Sequence, residues 1–204
     1  MPAPLGGWEI DGWTAWRWIE GGTVPTKTRE IVLAARTYHD LIAALPCDSS
    51  LLTRDNPWAR ADQVAWGKAT LIYSADYNAI LNPLIVAPIP ELPSQRVHGD
   101  LTGNVVFAPG LAPGIIDPTL YWRPPAFAEA IVLVDQSWFS TTLNLAPFRD
   151  TPALAAMLRR AAARRIAEQP EQVAAYGKSA SEAYAIARRI SEWTNAALDR
   201  LGAG

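Results

Sequence analysis

Apolar side chains recur at helical spacing between residues 26 and 45, where Ile31, Ala35, Tyr38, Ile42 and Leu45 share one face and Pro46 ends the run. That periodicity predicts an amphipathic helix. His39 lies beside the stripe and is expected at a partly exposed surface position. Asp55-Asn56-Pro57 reads as a helix start with proline near the first helical position, and Trp58, Ala65 and Trp66 read as packing residues. After Pro125 the pattern is helical again. One segment runs from Ala126 to about Trp138, and a second opens at Asp150-Thr151-Pro152 and reaches about Ala167. A last one starts near Ser179, whose spacing to Glu182 fits a capping box. Its apolar face is Ile186, Ile190, Trp193, Ala197 and Leu201. Arg159, Arg160, Arg164, Arg165, Arg188 and Arg189 are expected on solvated helix faces.

Two stretches read as hairpins instead. Gly7-Trp8-Glu9-Ile10 and Trp13-Thr14-Ala15-Trp16-Arg17-Trp18-Ile19 flank Asp11-Gly12, a two-residue turn signal. Val105-Val106-Phe107-Ala108 and Gly114-Ile115-Ile116-Asp117 flank the turn-rich loop 109–113. Nine of the 17 prolines lie between Pro83 and Pro125, so long helices are not expected there.

Composition narrows the class. The 204 residues include 35 alanines, which add helix propensity more than core volume. A net charge of −2 supplies no basic field for a phosphate backbone, so a nucleic-acid partner is not expected. The single cysteine, Cys47, allows no internal disulfide and suits a reducing compartment. The first residues lack the basic start and apolar run of a signal peptide. The uncharged, largely apolar stretch Ala79 to Pro90 is broken by proline and too short to span a bilayer. A cytoplasmic chain without a membrane partner is expected. Its cations are skewed, with 15 arginines against three lysines, Lys27, Lys68 and Lys178.

The chemistry concentrates in Val97-His98-Gly99-Asp100-Leu101-Thr102-Gly103-Asn104-Val105, followed by Ile115-Ile116-Asp117-Pro118. In an antiparallel hairpin over 105–117, Asn104 enters the first strand as Asp117 leaves the second, so the two converge. Asp100, on a loop held by Gly99 and Gly103, reaches the same spot. Two acids and an amide are hard oxygen donors of the kind that hold magnesium together with water and phosphate. Asp135 is expected to be a buried aspartate tying helix to loop.

His98-Gly99-Asp100 with Asn104, then a hydrophobic hairpin and Ile116-Asp117, resembles the catalytic and metal loops of the aminoglycoside phosphotransferase and choline kinase-like family, relatives of protein kinases. Trp16-Arg17-Trp18-Ile19-Glu20-Gly21 resembles that family's last N-lobe strand and hinge. The stretch from His98 to Pro125, with Tyr121-Trp122-Arg123-Pro124-Pro125, is most similar to an actinobacterial branch of unassigned function. The resemblance implies an α+β chain: residues 1–22 as a remnant of the N-terminal β lobe with the hinge, and 23–204 as a mainly helical kinase-like C-terminal lobe. It implies an ATP-dependent phosphotransferase acting on a hydroxyl of a small molecule. Asp100 would be the catalytic aspartate, Asn104 and Asp117 the Mg2+ ligands, and His98 and Gly99 the support of the catalytic loop. Arg17, Trp18 and Ile19 would form the nucleotide hinge.

Two departures accompany the resemblance. Three residues separate Asp100 from Asn104 where the family has four, and no Gly-rich loop or lysine precedes the hinge. The resemblance therefore places Met1 partway through the N-terminal lobe, and ATP affinity is expected to be weak. A competing expectation is a catalytically inactive kinase-like scaffold. It would use the aromatic hairpin of Trp8, Trp13, Trp16 and Trp18 for a homodimer or partner contact.

Overall fold

The computed structural model describes residues 4–11, 13–70, 72–140 and 142–203. The protein is α+β, with seven α-helices and three small antiparallel sheets among the described residues. The order is β1 (Pro4–Ile10), β2 (Trp13–Trp16), β3 (Gly22–Thr23), α1 (Thr28–Ile42), α2 (Ser49–Thr53), α3 (Pro57–Ala65) and α4 (Ala75–Ile85). Then come β4 (Gln95–His98), β5 (Val105–Phe107), β6 (Gly114–Ile115), β7 (Leu120–Arg123), α5 (Pro125–Phe139), a short 3-10 turn, α6 (Leu154–Tyr176) and α7 (Ala180–Arg200). Among the described residues no helix is long and apolar enough to cross a membrane.

Both expected hairpins form. Strands β1 and β2 pair with Ile10 opposite Trp13, and Asp11 adopts a left-handed φ of 52° in the turn. Gly12 and the side chains of Trp8 and Trp13 lie outside what is described. Strands β5 and β6 pair with Val105 opposite Ile115. Strand β3 adds to the free edge of β5, Thr23 facing Val106, so a segment at the expected boundary near residue 22 is built into the hairpin sheet. Gly21 makes this docking possible: at φ 115° a Cβ there would stand 2.2 Å from the Phe107 carbonyl oxygen. The third sheet pairs β4 with β7, setting His98 opposite Leu120.

Helix α6 lies at the centre of the helical body, packed against α3, α4, α5 and α7. Ala161, Ala162, Ala163 and Ala167 are fully buried along it, so alanine here is core material that lets neighbouring helices approach closely. This placement corrects the expectation for the arginines. Arg160, Arg164 and Arg165 are buried, because helices cover α6 on several sides and small alanines leave room for long side chains to reach internal acceptors. Arg188, by contrast, is exposed and pairs with Glu192 at 3.0 Å.

Local capping chemistry is followed in two places and overridden in a third. Asn56 accepts from the Ala59 amide at 2.9 Å to start α3, and Ser179 accepts from Glu182 at 3.4 Å to start α7. The start expected at Asp150-Thr151-Pro152 is displaced. The Thr151 hydroxyl donates to Glu129 at 2.5 Å, the chain turns through Ala153 at φ 49°, and α6 begins at Leu154 and continues past Ala167 to Tyr176. The buried face of α7 is Ala183, Ala187, Ile190, Thr194, Ala197 and Leu198, while Ile186 is exposed. Helix α1 ends at Ile42, leaving Leu45 exposed.

His39 is corrected from a surface to a core position. It is 1% exposed and its Nε2 accepts from the His98 amide at 3.1 Å. Burial, with a further contribution from the His98 charge, pushes its pKa from 6.5 down to about 4. A depressed histidine favours folding while neutral, so its contribution is intact above pH 6.5 and lost as pH falls toward 4. The loss is about 3 kcal/mol. In urea denaturation series, wild type and His39→Gln should therefore converge in stability between pH 6.5 and 4. Parallel curves would show that His39 carries no such penalty.

Candidate functional site

The loop after β4 is organised by His98. Its Nδ1 accepts from the Asp100 amide at 3.1 Å and its Nε2 donates to the Ile116 carbonyl at 3.0 Å, one proton serving two bonds in the neutral ring. Burial lowers the His98 pKa, which suits that tautomer. One imidazole thus joins the loop carrying Asp100 to the strand end carrying Asp117. Gly99 is required by the same crowding: a Cβ would lie 2.4 Å from the Tyr121 ring and 3.1 Å from Arg164.

Asn104 folds back over this loop through Gly103, at φ 87°. Its amide nitrogen donates to the Asp100 carbonyl at 2.7 Å, and its own carbonyl accepts from Ile116 at 3.1 Å. The short Asp100–Asn104 spacing is thereby closed into a turn that keeps Asn104 beside the segment leading to Asp117. Asp117 itself sits at φ 47°, a strained conformation for a residue with a Cβ. The Asp117 carboxylate and the Asn104 side-chain oxygen have no hydrogen-bond partner among the described residues.

Asp100 is treated differently. Its Oδ1 takes a 2.7 Å ion pair from Arg165 while its side chain stays 38% exposed. Burial raises its pKa, but Arg165, by charge and hydrogen bond, and the Arg164 charge outweigh that and hold it below the ordinary carboxylate range. Arg165 is anchored in turn by buried Asp135 at 2.9 Å and Glu168 at 3.1 Å. Burial alone would lower the Arg165 pKa; the three acids keep it ionised. Asp135 is thus the internal tie expected of it, acting through a cation on α6. Arg164 donates to the Gly99 carbonyl at 2.6 Å, pairs with Glu168 at 3.0 Å and stacks 4.5 Å from the Tyr121 ring.

Two cavities meet at Asp117. The larger, about 480 Å³, is walled by Trp16, Arg17, Trp18 and Ile19 on one side and by Val106, Ile115, Ile116 and Asp117 on the other. Gly114 lets Ile19 rest on the hairpin, since a Cβ there would come within 2.7 Å of the Ile19 side chain. The smaller, about 260 Å³, is lined by Asp100, Asp117, Thr119, Tyr121 and Arg164 with Arg54, Asn56 and Trp58. The residues expected from sequence are therefore gathered in one region: 17–19 in the first cavity, Asp100 in the second, Asp117 in both. Asn104 lies beside them without lining either.

The donor set suits magnesium only in part by itself. Among the described residues no cluster of three or more His, Cys, Asp or Glu side chains is arranged to hold a metal. One free carboxylate and one free amide oxygen are hard donors that fit an ion whose remaining ligands come from phosphate and water.

Arg165 and Arg54 were missed as site residues by sequence reasoning. Arg165 is 65 positions from Asp100, and its single sequence signal was a run of arginines. Arg54 stands just before the helix start Asp55-Asn56-Pro57 and carries no sequence signal of its own. Comparison with protein-family models, curated proteins and solved structures finds no match for this chain.

Proposed function

We propose that the protein is an ATP-dependent phosphotransferase that acts on a hydroxyl of a small molecule, with residues 23–204 as a kinase-like helical lobe. The observation that carries this reading is Asp117, which walls both a base-sized cavity beside residues 17–19 and a cleft containing Asp100. A nucleotide in the first cavity has its phosphates at Asp117, and an acceptor in the second has its hydroxyl at Asp100. Cavities of this size suit small ligands.

In this reading the acceptor oxygen attacks the γ-phosphorus, the bond to the β,γ-bridging oxygen breaks, and ADP leaves. Asp100, held ionised by Arg165, orients the hydroxyl and accepts its proton as the bond forms. A carboxylate of depressed pKa is a weak base, so its main contribution is alignment. His98 fixes the spacing between Asp100 and Asp117 without touching substrate. Asn104 and Asp117 would hold magnesium, which would supply charge neutralisation on the phosphates.

Isothermal titration with Mg-ATP tests the reading. Wild type should bind, and Asp117→Ala should lose binding at least tenfold. Asp100→Asn should keep binding while turnover falls on the order of 10²–10⁴-fold. Unchanged Mg-ATP binding in Asp117→Ala would remove the metal assignment.

A second reading is favoured by β1 and β2, which form a sheet of their own with no third strand among the described residues, beside Trp18 at 79% exposure. Here the protein is a non-catalytic kinase-like scaffold that dimerises or binds a partner through this edge. Absence of Mg-ATP binding together with self-association at micromolar concentration would favour it.

A further inference from the structure

Resting on the phosphotransfer reading, we infer that the acceptor is an anionic hydroxyl compound, and that Arg54 holds its phosphate or carboxylate group in the 260 Å³ cleft. Two cations line this cleft, Arg54 and Arg164. The charge of Arg164 is already engaged by Glu168 at 3.0 Å, and its donors by the Gly99 carbonyl and the Tyr121 hydroxyl. Arg54 differs. Its guanidinium lies 4.8 Å over the Tyr121 ring and donates to the Leu120 carbonyl through Nη2, and its Nε is buried with no hydrogen-bond partner. No carboxylate pairs with it among the described residues, although Asp100 and Asp117 line the same cleft. Asp100 is committed to Arg165 instead.

A partly buried arginine with unused donors and no counter-charge calls for an oxyanion, which its planar fork accepts bidentately. The surroundings reinforce this. Helix α3 begins at the cleft: Asn56 and Trp58 line it, and Asn56 already serves the Ala59 amide as cap. The partial positive charge of that helix end adds to Arg54. Trp58, exposed at the rim, supplies a face for a carbon skeleton. A cationic acceptor would meet Arg54, whose charge no carboxylate pairs among the described residues. The cleft therefore selects a small molecule with an anion turned to Arg54 and a hydroxyl turned to Asp100, such as a sugar phosphate or a short hydroxy acid.

The test is calorimetric titration of the full chain with inorganic phosphate, a sugar phosphate, a hydroxy acid and a cationic aminoglycoside, each with and without saturating Mg-ATP. Inorganic phosphate should bind wild type at millimolar concentration, at least tenfold more weakly to Arg54→Gln and by an intermediate factor to Arg54→Lys, which keeps the charge without the fork. The aminoglycoside should not bind. A sugar phosphate binding more tightly than the hydroxy acid would identify the anion as phosphate, and the reverse order as carboxylate. Thermal melts of both variants check that each is folded. Equal anion binding in wild type and folded Arg54→Gln would overturn the inference, as would displacement of phosphate by Mg-ATP, which would put the anion on the nucleotide. Mg-ATP binding without any anion binding would sink this inference and leave the phosphotransfer reading standing. Arg54-dependent anion binding without Mg-ATP binding would sustain the subsite and remove that reading.

Discussion

Replacing Arg165 with methionine is expected to destabilise the protein by about 3–5 kcal/mol, the cost typical of breaking a buried ion pair from one side. The pair is bidentate: Nε and Nη2 each donate to Asp135 at 2.9 Å, and Asp135 is fully buried. Methionine approximates the arginine stem but leaves the Asp135 carboxylate without a cation. Glu168 is less affected, since Arg164 still pairs with it at 3.0 Å. The sign of the pH dependence follows from burial. Burial already raises the Asp135 pKa, and in the variant no arginine opposes it. A carboxyl with a raised folded-state pKa favours folding while protonated, so the deficit is smallest near pH 4 and grows as pH rises through neutrality. Urea denaturation of wild type and Arg165→Met at pH 5 and pH 8 measures this difference. Arg165→Met/Asp135→Asn should recover part of the loss, and a deficit independent of pH would show that packing, not charge, is what arginine supplies. The same change frees Asp100 from its 2.7 Å partner. The alkaline-side tolerance and the alignment of the proposed catalytic carboxylate therefore depend on a residue that touches no substrate.

The site was legible to the extent that its chemistry is local. Asn104 and Asp117 stand at the ends of a short hairpin whose turn residues and apolar alternation are written within 14 positions, and their convergence follows from antiparallel pairing alone. The caps at Asn56 and Ser179 are equally local. What remained hidden depends on which elements surround a segment. The arginines of α6 read as a solvated face because sequence does not say that α3, α4, α5 and α7 all pack on that helix. His39 read as exposed because its partner, the His98 amide, is 59 positions away. Thr151 looked like part of a helix start, yet its hydroxyl is used by Glu129 across the interface with α5. Docking of β3 onto β5 joins residues more than 80 positions apart, and the close approach of Gly21 to Phe107 that permits it has no local sequence signal. Local signals decided element type, and tertiary partners decided burial and charge.

Arg160 shows how far that tertiary logic extends, and its replacement carries the other large expected effect. This side chain is 1% exposed, yet no carboxylate pairs with it among the described residues. Nη1 donates to the carbonyls of Ala65 at 3.0 Å and Ile85 at 2.8 Å, and Nη2 donates to the carbonyl of Ala87. Ala65 ends α3 and Ile85 ends α4, so the counter-charge is the partial negative charge of two helix C-termini. Burial still lowers the Arg160 pKa, the cost of keeping a cation here without an acid. Arg160→Met removes that cost but leaves three carbonyls without their donor, at about 1–3 kcal/mol for each one that water cannot reach. The balance favours net destabilisation of about 2–4 kcal/mol, visible as a lowered denaturation midpoint. Arg160→Lys should fall between the two, because one ammonium cannot span acceptors that a guanidinium fork bridges. A lysine at this site would have a depressed folded-state pKa, so its deficit should shrink as pH rises toward the ordinary lysine range. Stability of Arg160→Met within about 0.5 kcal/mol of wild type would mean that the cost of desolvating the guanidinium offsets what its three carbonyl bonds contribute.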